Sequence, residues 1–442
     1  MKRFISYLHN HFYLDIMVLF FLFLAFFIEP ILSVIETGKF IFNPISQIFN
    51  GYIKILISPD ILITDYVYIA GLGATFFNVA SILLINLILV RLLKIKINGP
   101  IYAGMIMICG FSFFGKNLFN TIPIYLGIYI FSLIRKIPYK SLIITTLFST
   151  GLSPLVSYTM FGFDFPLYLS IPLGVLCGII VGLIIPAFAT HTIVFHEGYN
   201  LFNTGFALGI ISAIFYGIFC FFNLEVNTAS LYDYSTTKVF YYVLPTLSVV
   251  SIIMAFIGDS QVYKKYASLI KSTGRLISDY AYDYNNETVL FNFGIIGLFL
   301  FAICLIFNIP MNGVVFGSIL SILGFAGYGL HIRNVLPIWV GATIALVCKC
   351  LVNNSWELSI ASIMCFIFAS GLAPVAGRYG IIYGIVAGIL HVFLTPIMLD
   401  FQGGFDLYNN GISAGFVAAI IVVIAEKIDV RRNRNGRKSK TM

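Results

Sequence analysis

Apolar runs near twenty residues long follow one another from one end of the chain to the other, and a hydrocarbon core of ~30 Å demands about that length of a crossing helix. Inside lipid the backbone must satisfy its own hydrogen bonds, so such runs are helices. The composition agrees: 60% of the 442 residues are hydrophobic and 10% charged, against roughly 45–50% and about 25% in soluble domains. The first run, from Tyr13 to Val34, follows Lys2 and Arg3. It is longer than a signal h-region and lacks a small-residue cleavage site after it, so it reads as a retained helix. Spans are expected at 13–34, 66–92, 100–114, 120–135, 141–160, 168–189 and 205–222, then at 239–257, 290–307, 313–328, 335–351, 357–372, 379–398 and 411–426.

The chain is written twice. A constant shift of 214 lays residues 77–127 over 291–341, with Phe77 on Phe291, Asn78 on Asn292, Gly115 on Gly329, Asn120 on Asn334 and Pro123 on Pro337. Small gaps then bring TGLSP (150–154) onto SGLAP (370–374), and GYNLFNTGFALG (198–209) onto GFDLYNNGISAG (404–415). The shared residues are mainly Gly, Asn and Pro, which fix backbone geometry, rather than the interchangeable aliphatics. The match weakens before Phe77. The expected fold is therefore an all-α integral membrane protein of about 14 transmembrane helices in two seven-helix repeats: 1–223, and 224–426 with an interfacial linker at 258–289, followed by a basic tail at 427–442.

An odd number of crossings per repeat turns the second copy upside down, and loop charge tests this. With both termini in the cytoplasm, the inner loops hold Arg91, Lys94, Lys96, Arg135, Lys136, Lys140, Lys264, Lys265, Lys271, Arg275 and Arg378. Equivalent loops exchange character: RLLKIK is basic, whereas its counterpart FNIPM is uncharged. Lys39, Lys54, Lys116 and Lys349 stand against this orientation, and a re-entrant short span would make the repeat parallel instead. In the linker, Val262, Tyr266, Leu269, Ile270 and Ile277 form one helical stripe, the pattern of an amphipathic interfacial helix, with 37–59 as its counterpart. The tail RRNRNGRKSK is expected on anionic lipid or disordered.

Repeat-built transporters bind substrate where the repeats meet, on interrupted helices whose ends face the ligand. In GFSFFGKNLFNTIPIYLG and GFAGYGLHIRNVLPIWVG, Asn120 and Asn334 are expected to cap a new helix after a glycine-rich break. Unpaired N–H groups there favour an anion, and Lys116 and His331 add positive charge. Lys116, Asn120, His331, Asn334 and the matched intramembrane pair Asn78 and Asn292 are the candidate substrate residues. Loop chemistry and helix-to-helix bonding by asparagine explain the same residues without a ligand. For ion coupling the candidates are Asn200, Asn203, Asp406 and Asn409 in the repeated phrase, with Glu29 and His391, the ionisable groups deepest in the spans. Capping and close G-x-x-x-G packing account for the phrase equally well.

No Walker loop, G-x-S-x-G, dinucleotide fingerprint or H-E-x-x-H is present, so no enzymatic activity, metal or organic cofactor is expected beyond Na⁺ or H⁺ as a coupling ion. The seven cysteines lack zinc or redox spacing. A net charge of +8 resides in loops and tail, the pattern of membrane orientation rather than of nucleic-acid binding. The expected partners are the bilayer and a small solute, in a setting compatible with a homo-oligomer.

GYNLFNTG and NTIPIYLG, with their second copies, resemble a family of bacterial polytopic membrane proteins known only as a domain of unknown function. The seven-plus-seven count is similar to nucleobase symporters and bicarbonate or sulfate transporters, whose third helix is short and faces the substrate. That likeness is one of architecture and carries no function. The interrupted repeats, with no nucleotide-binding motif, point instead to a secondary transporter of a small solute, with an anion favoured, in the cytoplasmic (inner) membrane. The alternative is a membrane enzyme or flippase acting on a lipid-linked substrate.

Overall fold

The computed structural model describes residues 2–39, 45–232 and 237–438, with side chains from Phe12 to Ile428. Of Lys2, Arg3 and the tail from Asp429 to Lys438 the backbone alone is described. The first half contains α1 (Lys2–Thr37), α2 (Ile45–Leu56), α3 (Tyr66–Leu92), α4 (Gly99–Phe111), α5 (Leu118–Arg135), α6 (Ile143–Ser149), α7 (Ser153–Phe161), α8 (Leu167–Phe195) and α9 (Asn203–Phe221). The second contains α10 (Phe240–Gly258), α11 (Val262–Leu269), α12 (Tyr280–Asp283), α13 (Asn286–Ile306), α14 (Gly313–Leu323), α15 (Ile332–Asn353), α16 (Ile360–Phe368), α17 (Ala373–Tyr379), α18 (Ile381–Phe401) and α19 (Asn409–Lys438). Extended pairing among the described residues is limited to one bridge, Thr64 with Leu231.

Among the described residues, twelve segments are long and apolar enough to cross a membrane, and this is a multi-pass membrane protein. Two of the fourteen expected spans fall short: Gly99–Phe111 and Gly313–Gly327. At 13 residues, α4 is about 20 Å long at 1.5 Å per residue. Both short helices are buried along their whole length.

The same local geometry recurs at the shift of 214. Asn98 and Asn312 cap α4 and α14, each accepting from the backbone N–H three residues on. Gly115 and Gly329 carry φ of 97° and 99°, a left-handed turn that only glycine adopts without strain. The correspondence also reaches further back than Phe77, to Ser46-Gln47 on Ser260-Gln261 and to Leu62-Ile63, Asp65-Tyr66 and Tyr68 on Leu276-Ile277, Asp279-Tyr280 and Tyr282. Intervening Gly, Lys and Thr differences hide this stretch. The backbone exposes it, because α2 and α11 occupy matched places before it.

The expected linker helix is shorter than its stripe. Val262 and Leu269 are buried on α11, but the helix ends at Leu269 and Ile277 is 78% exposed. Its counterpart α2 buries Ile48, Gly51 and Ile55. The basic tail begins as a continuation of α19, whose backbone stays helical to Lys438.

Short helices α4 and α14 pack directly on each other. A Cβ on Gly110 would lie 2.3 Å from the carbonyl oxygen of Gly317, and one on Gly317 would lie 2.4 Å from that of Gly110, so only glycine permits this approach. Gly99 meets Gly327, Ala103 meets Gly324, Met107 meets Ser321 and Gly110 meets Gly317. One series rises as the other falls, so the two helices run antiparallel.

Candidate functional site

TGL and ASGL interrupt two spans with a turn of 3₁₀-helix, and Pro154 and Pro374 follow within the first turn of α7 and α17, where proline is tolerated. Each interruption frees a carbonyl. The N–H of Leu407 donates to Gly151 O at 3.0 Å, and that of Leu201 donates to Gly371 O at 2.9 Å. The N–H of Leu276 likewise reaches Gly198 O, and that of Leu62 reaches Gly404 O. The twice-written phrase is thus a clasp: each copy plugs into the other half and satisfies backbone groups that the broken helices leave open.

Within the phrase, Asn200 and Asp406 act alike at their first oxygen, accepting from the N–H of Phe202 and Tyr408 at 2.9 Å. Their second atoms differ. Asn200 Nδ2 donates to Gly411 O, whereas Asp406 Oδ2 is buried with no hydrogen-bond partner. Asn203 is tied to Ala189 O, Thr192 and His196, and Asn409 accepts from Asn410. His391 Nε2 pairs with Asn410 Oδ1 at 3.0 Å. Glu29 accepts from the N–H of Gly73, against the α3 kink at Gly71.

Asn78 and Asn292 brace the breaks that follow α4 and α14. Asn78 Nδ2 donates to the carbonyls of Ser112 and Lys116, and Asn292 Nδ2 to those of Ala326 and Leu330, at 2.7–2.9 Å. Asn120 and Asn334 do not cap α5 and α15 as expected. Asn117 and His331 are the caps, and Asn120 and Asn334 close reciprocal capping boxes at the third helical position. These helix starts therefore have few free N–H groups for an anion. Both nitrogens of His331 are engaged: Nδ1 accepts from Asn334 N, which leaves Nε2 to donate to Ser272 O. That pattern belongs to neutral imidazole and gives His331 no positive charge here.

The starts of α4 and α14 are also occupied. Asp279 Oδ1 accepts from Gly99 N at 2.8 Å, and a Cβ on Gly313 would lie 2.4 Å from Asp65 Oδ1. Acidic side chains at helix N-termini complement the dipole there. The short helices therefore do not offer a ligand the free ends that the architectural resemblance implies.

Two buried clusters remain. In the first, Asp60 Oδ2 accepts from Tyr66 Oη (2.8 Å), Ser157 Oγ (3.0 Å) and Asn120 Nδ2 (3.0 Å), with Asn117 Nδ2 at 3.4 Å, while Oδ1 has no partner. Asp60 lies in the connector between α2 and α3, outside the spans. Burial pushes its carboxyl up to about 7, against the opposing pull of hydrogen bonds led by those from Tyr66 and Ser157. In the second cluster, the fully buried Lys116 donates to Tyr408 Oη, and its ammonium lies 5.0 Å from the Phe111 ring centre and 4.5 Å from that of Tyr408. Among the described residues no carboxylate lies within 4.0 Å of it.

The sequence reading missed Asp60, Asn117, Ser157 and Tyr408. Carrying the repeat back to Ser46 exposes Asp60, because it is the acid whose copy is Gly274.

A narrow chamber lies next to the Lys116 partners Phe111 and Tyr408 and is walled by these with Phe148, Phe202, Phe325 and Phe368, with a volume of about 20 Å³. That is room for one water. The walls are matched pairs, Phe111 with Phe325, Phe148 with Phe368, and Phe202 with Tyr408, and the first turns of α9 and α19 complete the lining through Thr204, Gly205, Asn410 and Gly411. A wider cavity of about 650 Å³ adjoins it, lined by Lys349, Ser359, Ser362, Thr395 and Asn409, and it shares Asn410 with the chamber.

Stacked interrupted helices around a buried polar centre, within a bundle of apolar spans, define a polytopic all-helical membrane protein with a chamber between its halves. No curated protein and no solved structure matches the chain. It belongs to DUF1576, a family described as a protein of unknown function, whose pattern covers residues 45–220 and 259–427. The two matched segments start 214 residues apart, the shift of the repeat.

Proposed function

We propose that the protein is a secondary transporter of a small organic anion, with alternating access about the chamber between two inverted repeats. The antiparallel pair α4 and α14 carries this reading. Ser321 Oγ approaches Met107 O at 3.5 Å, a contact between a position and its own copy, and such a contact lies on the axis relating the copies. Copies related about the membrane normal would run their short helices parallel; an antiparallel pair needs an axis in the membrane plane. The short helices leave the parity unchanged, because each enters and its successor returns toward the same face.

The 650 Å³ cavity supports an entry path from one side, and the 20 Å³ chamber an occluded centre. Lys116 supports the charge of the solute. Its one acidic neighbour among the described residues, Asp406, interacts with it from beyond 4.0 Å, and a buried ion without a close partner costs several kcal/mol. An anion entering the chamber would meet the first turns of α9 and α19, which line it. Coupling to H⁺ or Na⁺ through Asp60 or Asp406, residence in the cytoplasmic membrane and cytoplasmic termini belong to the same proposal.

Uptake into proteoliposomes of a panel of small organic anions, under a pH or Na⁺ gradient, tests it. Lys116→Met should lower uptake about 10-fold or more, as expected for a charge-assisted hydrogen bond of roughly 1.5–3 kcal/mol. Absence of flux for the whole panel, with turnover of a lipid-linked substrate instead, would overturn transport. Labelling of cysteines at Ile137 and at Cys348 from the same side of the membrane would overturn inversion.

A further inference from the structure

We infer that the second half carries a dedicated site for the headgroup of an anionic phospholipid, at the membrane face where α15 begins and α17 ends. A cavity of about 390 Å³ opens there, lined by Lys271, Ser272, His331, Arg333, Asn334 and Arg378 among others. This lies within the ~300–1,000 Å³ usual for small-molecule sites.

Three cationic side chains from three separate elements converge on it: Lys271 from the connector after α11, Arg333 from the first turn of α15, and Arg378 from the last turn of α17. Among the described residues none has a carboxylate within 4.0 Å. Glu197, the acid on the neighbouring connector, is turned to Arg275 at 3.6 Å. Like charges repel, so a triad without an internal acid is a place prepared for an anion, and arginine's planar fork matches phosphate oxygens. The floor is polar and fixed, with His331 Nε2 bonded to Ser272 O and Asn334 Nδ2 to Gly329 O.

The rim distinguishes a lipid from free phosphate. Leu336 and Ile381 line the cavity and are 42% and 67% exposed, and Val340 continues the exposed apolar face along α15. A phosphate in the basic pocket would therefore have an apolar wall running from it into the bilayer, where acyl chains lie. Juxtamembrane basic clusters attract anionic leaflet lipids in this way.

Native mass spectrometry of the full chain, titrated separately with phosphatidylglycerol, phosphatidylcholine and inorganic phosphate, tests the assignment. The expected result is half-saturation by phosphatidylglycerol at a concentration at least tenfold below that of phosphatidylcholine. K271Q/R333Q/R378Q should reduce that preference to less than twofold. R333K/R378K, which keeps the charge, should retain most of it, and R135Q/K136Q/K140Q, which strips three charges from another connector, should leave it intact. Equal retention of the two lipids, equal losses in the two glutamine triples, or binding of inorganic phosphate as tight as that of the lipid would each overturn the site. The substituted side chains are exposed, and far-ultraviolet circular dichroism together with elution volume checks that each variant is folded.

Discussion

Replacing Asp60 with asparagine tests the buried acid through stability alone, without knowledge of any solute. The carboxyl titrates near 3.8 in the unfolded chain and is pushed up to about 7 in the folded one, burial being the leading cause. The native state therefore binds this proton more tightly than the unfolded state does. Stability from this group is fully present below pH ~4 and is lost as pH rises through 7. At 1.36 kcal/mol per pH unit, the loss amounts to about 4 kcal/mol at most. The asparagine side chain would keep an oxygen for Tyr66, Ser157 and Asn120 and carry no charge. The difference in unfolding midpoint, variant minus parent, should be smallest near pH 4, climb to pH 7 and then level off. Intrinsic fluorescence in detergent reports it, since Trp339 is buried and gains exposure on unfolding. Taking the difference cancels the other titrating groups. Parallel pH curves would refute the reasoning, as would a variant that loses ground as pH rises.

Three further outcomes follow from the packing. Gly110→Ala places a methyl 2.2 Å from Ser321 Oγ and 2.3 Å from the Gly317 carbonyl, so overpacking should destabilise by about 1–3 kcal/mol, read as a lower unfolding midpoint in detergent. Asn78→Leu and Asn292→Leu each remove two bonds to freed carbonyls, and each should cost roughly 0.6–2 kcal/mol or more in the same assay. Tyr408→Phe deletes the oxygen that receives Lys116 while keeping the ring, so it should impair uptake in proteoliposomes more than it lowers the unfolding midpoint.

Residues that fix the backbone were readable in the sequence because they act locally. Asn98 and Gly115 supply a cap and a left-handed turn, and their copies at Asn312 and Gly329, with the matched Pro123 and Pro337 inside α5 and α15, announce the duplication. Residues that act through long-range contact were not. Asn120 is separated from Asp60 by 60 positions and Lys116 from Tyr408 by 292, so spacing along the chain carries no trace of either cluster. The capping error has a similar origin. Asn117 and Asn120 are both competent caps three residues apart, and packing against Asp60 and Ser157 selects which amide faces inward. The sequence offers Lys116 as a cation at a helix break but not its burial, the cost of which two aromatic faces and a tyrosine hydroxyl offset.

The two halves agree where they hold shape and differ where they hold charge. Asp60 stands opposite Gly274, Lys116 opposite Leu330, Asp406 opposite Asn200, and His391 opposite Val181. In the second half a Cβ on Gly274 would lie 2.1 Å from the Gly329 carbonyl oxygen and one on Gly377, the copy of Ser157, 2.2 Å from that of Thr273, so backbone fills the space that Asp60 and Ser157 occupy in the first. A scaffold built for shape alone would have no use for this difference, because an ion buried without need costs several kcal/mol. Charge present in one copy only makes the two halves around the chamber chemically unequal while their backbones stay equivalent. For a protein that exposes one chamber alternately to two faces, that inequality lets protonation or solute binding favour one face over the other. Asp60→Asn and Lys116→Met are accordingly expected to alter the balance between the faces, measured as accessibility of a cysteine at Asn410 from each side. Neither substitution should change the antiparallel seam at Gly110 and Gly317, and loss of that seam in either variant would show that these charges serve folding instead.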